Sequence, residues 1–62
     1  MITKCYFIDE TQEAYHDTLE SVINLFPCFI AEEPIEFNFV AVTIKMRTED
    51  AAGIERLLAK IV

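Results

Sequence analysis

The sequence contains one glycine, two prolines and no tryptophan. So few chain-breaking residues, with no low-complexity tract, exclude a disordered or linker-like chain. Lysine and arginine are scarce too, five against eleven acids, for a formal net charge of −6. The scarcity is sharpest between Cys5 and Ile44, where there is no Lys or Arg at all. Binding of DNA or RNA draws on cations that displace phosphate counterions, so direct nucleic-acid binding is not expected. An anionic membrane surface is disfavoured for the same reason. No apolar run exceeds four residues, which is far short of a membrane-spanning helix. No basic stretch leads into an apolar one near the start, so no secretion signal is read there.

Cysteine is limited to Cys5 and Cys28, with no CxxC pair and no second ligand pair for zinc. A disulfide scaffold of this size normally carries four or more cysteines. Reduced thiols in the cytoplasm are therefore expected, both acting as small buried hydrophobes. At 62 residues the chain forms one domain, which buries only about 60% of its unfolded surface.

What is present is apolar and acidic. Hydrophobic residues make up 53% of the chain, above the roughly 45–50% of ordinary globular chains. Eight acids fall in the cation-free segment: Asp9, Glu10, Glu13, Asp17, Glu20, Glu32, Glu33 and Glu36. Ile2 to Ile8 reads as a strand, with Ile2, Tyr6 and Ile8 on one face and Cys5 and Phe7 on the other. Asp9 is the expected N-cap of a helix, with Gln12 at capping-box spacing. Tyr15, Leu19, Val22, Ile23 and Phe26 form its apolar stripe, and Pro27 ends it.

Cys28 to Ala31 is a short apolar run, and Glu32-Glu33-Pro34 reads as a turn. A long strand is then expected from Ile35 to Met46, its apolar face switching between Phe39 and Val40. Such a switch predicts a bulge or burial on both faces. Thr48 is expected to cap a second helix with the stripe Ile54, Leu57, Leu58 and Ile61. Gly53 inside that helix costs about 1 kcal/mol relative to Ala, which implies close packing there.

The expected fold is α+β: a βαββα two-layer sandwich with a three-stranded sheet and two helices on one face. Its topology resembles a ferredoxin-like domain lacking the last strand. The open first strand and the two-faced apolar strand predict a homodimer, with Phe37, Phe39, Val40, Val42 and Ile44 at its interface. Oligomerisation is also the staple open to a small domain without disulfides or metals.

No catalytic constellation emerges. His16, the one histidine, reads as a surface residue, and no Gly-rich loop exists to cradle phosphate. Cys5 has only Lys4 beside it to activate a thiolate. Length and the strand–helix–strand start resemble the small tautomerases, whose base is an N-terminal proline amine. Ile2 stands where that proline is needed, so the base itself is missing. Glu32, Glu33 and Glu36 cluster near the turn but match no EF-hand spacing, and no metal or other cofactor is expected.

Glu10, Glu13, Asp17 and Glu20 fall at i, i+3, i+7 and i+10, which places them on one expected helix face. A row of carboxylates a helical turn apart suits a basic groove and steers association electrostatically. The plainer alternative is a solubilising face. The expected function is non-enzymatic protein–protein binding on a basic, nucleic-acid-handling partner. In size and charge the chain is similar to the short acidic proteins with which mobile elements block host nucleases. The alternative is a ferredoxin-like oligomer or enzyme subunit that binds a small apolar ligand near Phe37, Phe39 and Val42.

Overall fold

The computed structural model describes all residues from Met1 to Val62. Strand β1 spans Ile2–Asp9, helix α1 Tyr15–Leu25, strand β2 Cys28–Pro34, strand β3 Phe39–Met46 and helix α2 Ala51–Leu58, the last entered through a single 3-10 turn at Thr48–Asp50. The sheet order is β1-β3-β2, and β3 is antiparallel to both neighbours. The fold is α+β, as the sequence pattern predicts.

Strand alternation explains the core. On β3, Val40, Val42, Ile44 and Met46 point one way and are buried, while Phe39, Ala41, Thr43 and Lys45 point the other. The buried set packs with Ile8 from β1, Tyr15, Leu19 and Val22 from α1, and Ile54, Leu58 and Ile61 at the chain's end. Lys4 lies on the same side of β1. Its stem follows the sheet while its ammonium reaches Glu55 on α2 at 3.0 Å.

Three expectations are corrected here. First, α1 starts at Tyr15, six residues past Asp9. The Asp9 carboxylate accepts hydrogen bonds from the Thr11 N–H at 2.9 Å and the Thr11 hydroxyl at 2.6 Å, which closes a turn in place of a helix cap. The Gln12 amide likewise forms no capping box, donating instead to the carbonyls of Asp9 and Ile61. Glu10 and Glu13 therefore sit in a turn.

Second, β3 has no bulge and no second buried face. Strand β2 continues through Glu32 and Glu33 to Pro34, which an edge strand tolerates. The turn lies one step later, closed by the Phe39 N–H donating to the Glu36 carbonyl at 3.0 Å. The apparent face switch is the junction between turn and strand. Third, Cys5 is exposed and Cys28 only half-buried. Cys5 points away from the helices, so its strand context gives it no cover.

Gly53 is closely packed, as expected: a Cβ there would lie 2.7 Å from Cζ of Phe26. No buried side-chain nitrogen or oxygen is left without a hydrogen-bond partner.

Candidate functional site

Two turns meet at one end of the molecule. The Glu10 N–H donates to the Asn38 carbonyl at 2.9 Å and joins the β1–α1 turn to the β2–β3 turn. This brings Asp9, Glu10, Glu33 and Glu36 to the same end, with Glu32 just inside. Thr11 holds the Asp9 carboxyl below its ordinary range by hydrogen bonds from its hydroxyl and backbone. Glu32 accepts a 2.6 Å hydrogen bond from the Tyr15 hydroxyl. Burial, that bond and the charges of Glu32 and Glu10 push the Tyr15 phenol well up.

Apolar side chains crown this acidic end. Ile35 and Phe39 are about half exposed, and Phe37 is 94% exposed. Phe37 also has φ of 54°, the one non-glycine residue in the left-handed region. A bulky residue there is a strained exception.

The expected acidic row is only partly assembled. Asp17 and Glu20 are exposed on α1, but Glu10 and Glu13 precede the helix, so the four do not share one helical face. Lys60, from the other end of the chain, joins Asp17 in lining a shallow pocket of about 150 Å³ between α1 and the end of α2. Sequence spacing within α1 gives no hint of that base.

The expected dimer residues separate as well. Val40, Val42 and Ile44 are at most 2% exposed beneath the helices and cannot meet a second copy or a ligand without unfolding. Phe37 and Phe39 stay accessible. The exposed side of the sheet instead carries Phe7 at 65%, Phe29 at 72% and Phe39 at 46% exposure. Phe7 lies in a strand the sequence marks by alternation and Phe29 in one it reads too short, and only the missing second layer reveals that both are bare.

One polar cluster has the look of chemistry. The Tyr6 hydroxyl and the Lys4 ammonium both donate to Oε2 of Glu55, at 3.1 and 3.0 Å. Burial, aided by Glu55, pushes the Tyr6 phenol up to about 12. The Lys4 and Tyr6 hydrogen bonds hold Glu55 below its usual range. Both shifts oppose acid–base work at neutral pH, because the acid becomes weaker and the base less basic. An adjoining hollow of about 360 Å³ is lined by Tyr6, Glu55, Leu58, Ala59 and Val62.

His16 is exposed, with its ring edge-on to Tyr15 at 5.1 Å. No three His, Cys, Asp or Glu side chains converge on a point where they would hold a metal, so Glu32, Glu33 and Glu36 do not form a cage. No helix is long and apolar enough to cross a membrane. Comparison of the chain with protein families, curated proteins and solved structures finds no match.

Proposed function

We propose that this chain is a protein-binding module that docks its acidic end on a basic protein surface. The observation that carries the reading is Phe37: a fully displayed aromatic, on a strained backbone, at the end of the molecule where Asp9, Glu10, Glu33 and Glu36 gather. Buried aromatic anchors surrounded by polar rims dominate binding energy at protein interfaces. The matching partner presents an apolar pocket rimmed by Lys and Arg. Surfaces that handle nucleic acid carry such basic rims, and the net charge of −6 steers approach to them. On this reading the chain works as an inhibitor or regulator, by occupying the partner's phosphate-binding surface. Asp17 and Glu20 on α1 add to the long-range field. Two unpaired thiols fit a reducing compartment such as the cytoplasm.

The test is capture of partners from lysate at low and high salt, comparing the wild type with Phe37→Gly and with Glu33→Gln/Glu36→Gln. A basic protein held by the wild type at low salt, released at high salt and lost by both variants supports the reading. Equal capture by all three folded proteins overturns it. A second reading, a small amphipathic ligand, rests on the hollow beside Tyr6. It predicts a metabolite, and no protein, in the wild-type eluate.

A further inference from the structure

We propose that the bare face of the sheet is the seat of a second copy of this chain, the two sheets stacked face to face with their β3 strands antiparallel. The face borders the acidic tip and shares Asp9, Glu33 and Phe39 with it, while Lys45 and Phe29 lie at the far end. Lys45→Glu therefore tests the dimer apart from the docking reading.

The cross-strand register lays out the face in rows. Asp9 lies beside Phe39, and Phe7, Ala41 and Glu33 form the next row. Cys5, Thr43 and Ala31 follow, then Thr3, Lys45 and Phe29. Small residues fill the middle, and the three phenylalanines stand at opposite ends of the face. Side chains are short in the middle of the face and long toward its ends, a pattern that can interdigitate with its own antiparallel copy at the roughly 10 Å spacing of packed sheets.

Charge selects the occupant and its orientation. Asp9 and Glu33 lie at one end of the face and Lys45 at the other. Stacking with β3 strands parallel places acids on acids and Lys45 on Lys45. The antiparallel two-fold places each Lys45 over the acidic end of the other copy and lets Phe29 of each reach the Ile35 end of its mate. A two-fold contact of this kind is self-complementary by construction. A single-stranded nucleic acid, which also stacks on aromatics, needs a basic groove, and this face has one cation against two acids.

The area is adequate. The Cα trace spans 33 × 19 × 15 Å, and one long side of such a body is roughly a fifth of its surface. A fifth of the 4203 Å² accessible area is close to the ~800 Å² that each partner contributes to a standard interface.

Sedimentation equilibrium of the full chain from 1 to 500 μM is the test (concentrations on the order used for weak dimers). The expected species has twice the 7.1 kDa chain mass. Ala41→Lys, on the central strand beside Phe7, should give a monomer that still melts cooperatively. Lys45→Glu should raise the dimer Kd at least tenfold, and adding Glu33→Lys to it should restore most of the affinity. Cys5, on the same face, should react with a thiol reagent several-fold more slowly at dimer-forming concentrations. A wild-type monomer throughout the range overturns the proposal, as does a dimer that survives Ala41→Lys. Ala41→Lys disruption without any charge-swap rescue overturns the antiparallel arrangement.

Discussion

The hydroxyl of Tyr15 donates to Glu32 across 2.6 Å, so the first residue of α1 is tied to the outer strand of the sheet. The bond matters because Tyr15 is fully buried while Glu32 is exposed. Glu32, turned inward, links the acidic tip to the core side of the sheet. Tyr15→Phe should cost about 1 kcal/mol at pH 7, the net worth of one hydrogen bond, since the exposed carboxylate is rehydrated. The raised Tyr15 phenol adds a pH signature. Its contribution is complete below the ordinary tyrosine value of 10.0 and is lost as pH rises above it toward the folded value. Chemical denaturation between pH 7 and 11.5 (a range of roughly one unit and more beyond the unfolded tyrosine value) should show a shallower alkaline decline in Tyr15→Phe. An unchanged slope would mean that Tyr15 does not carry it.

Gly53 and Phe26 should behave as a coupled pair. Replacing a mid-helix Gly by Ala ordinarily gains about 1 kcal/mol. Here the new methyl would lie 2.7 Å from the ring tip of Phe26, so the ring must move. Gly53→Ala alone should therefore be neutral or destabilising. In a Phe26→Leu background, which withdraws the ring tip, the same change should recover most of the helical gain. A double-mutant cycle by urea denaturation reads the coupling, and additivity within about 0.3 kcal/mol would refute it.

Acid should weaken the fold through Glu55 and Asp9. Both carboxyls are held below their ordinary values of 4.5 and 3.8, Glu55 by Lys4 and Tyr6 and Asp9 by Thr11. A depressed folded value contributes stability above the unfolded value and loses it as pH falls through the folded one. Melting temperatures should therefore drop from pH 5 toward pH 2.5 (roughly one unit either side of ordinary carboxyl values). Glu55→Gln should flatten that drop, as it removes one of the two titrating groups. An identical profile in the variant would exclude the Lys4–Glu55–Tyr6 cluster as a source.

The elements and their order were legible because period and punctuation agree. Pro27 stops α1, alternation marks β1, and Val40 to Met46 keeps a strict two-residue period. The misreadings come from local chemistry with two outcomes. Asp9 can cap a helix or close a turn on Thr11; in the fold it closes the turn, and Gln12, the expected capping-box partner, donates to the Ile61 carbonyl instead. Pro34 can start a turn or end an edge strand, and only pairing with Val40 decides it. The apolar run through the β2–β3 turn conceals its start, since Phe37 occupies a position where Gly or Asn would have announced a turn. The same disguise kept Val40, Val42 and Ile44 together with Phe37 and Phe39 as one expected surface, although the sheet divides them between core and exterior.

Phe37 offers the sharpest separation of stability from binding. At φ of 54° its Cβ crowds the neighbouring backbone, and at 94% exposure its ring recovers nothing by packing within the chain. Glycine meets no such penalty in the left-handed region. Phe37→Gly should therefore raise stability, by about 1 kcal/mol once the extra entropy of the unfolded glycine is set against the relieved strain. Phe37→Ala removes the ring but leaves the strain, so it should change stability by less than about 0.5 kcal/mol. If the ring is an anchor for a partner, both variants should lose that partner equally despite their different stabilities. Denaturation of the three proteins in parallel with partner capture reads both quantities. A fall in stability for Phe37→Gly would show that the ring is buried in solution, which points to a contact between copies at the tip itself.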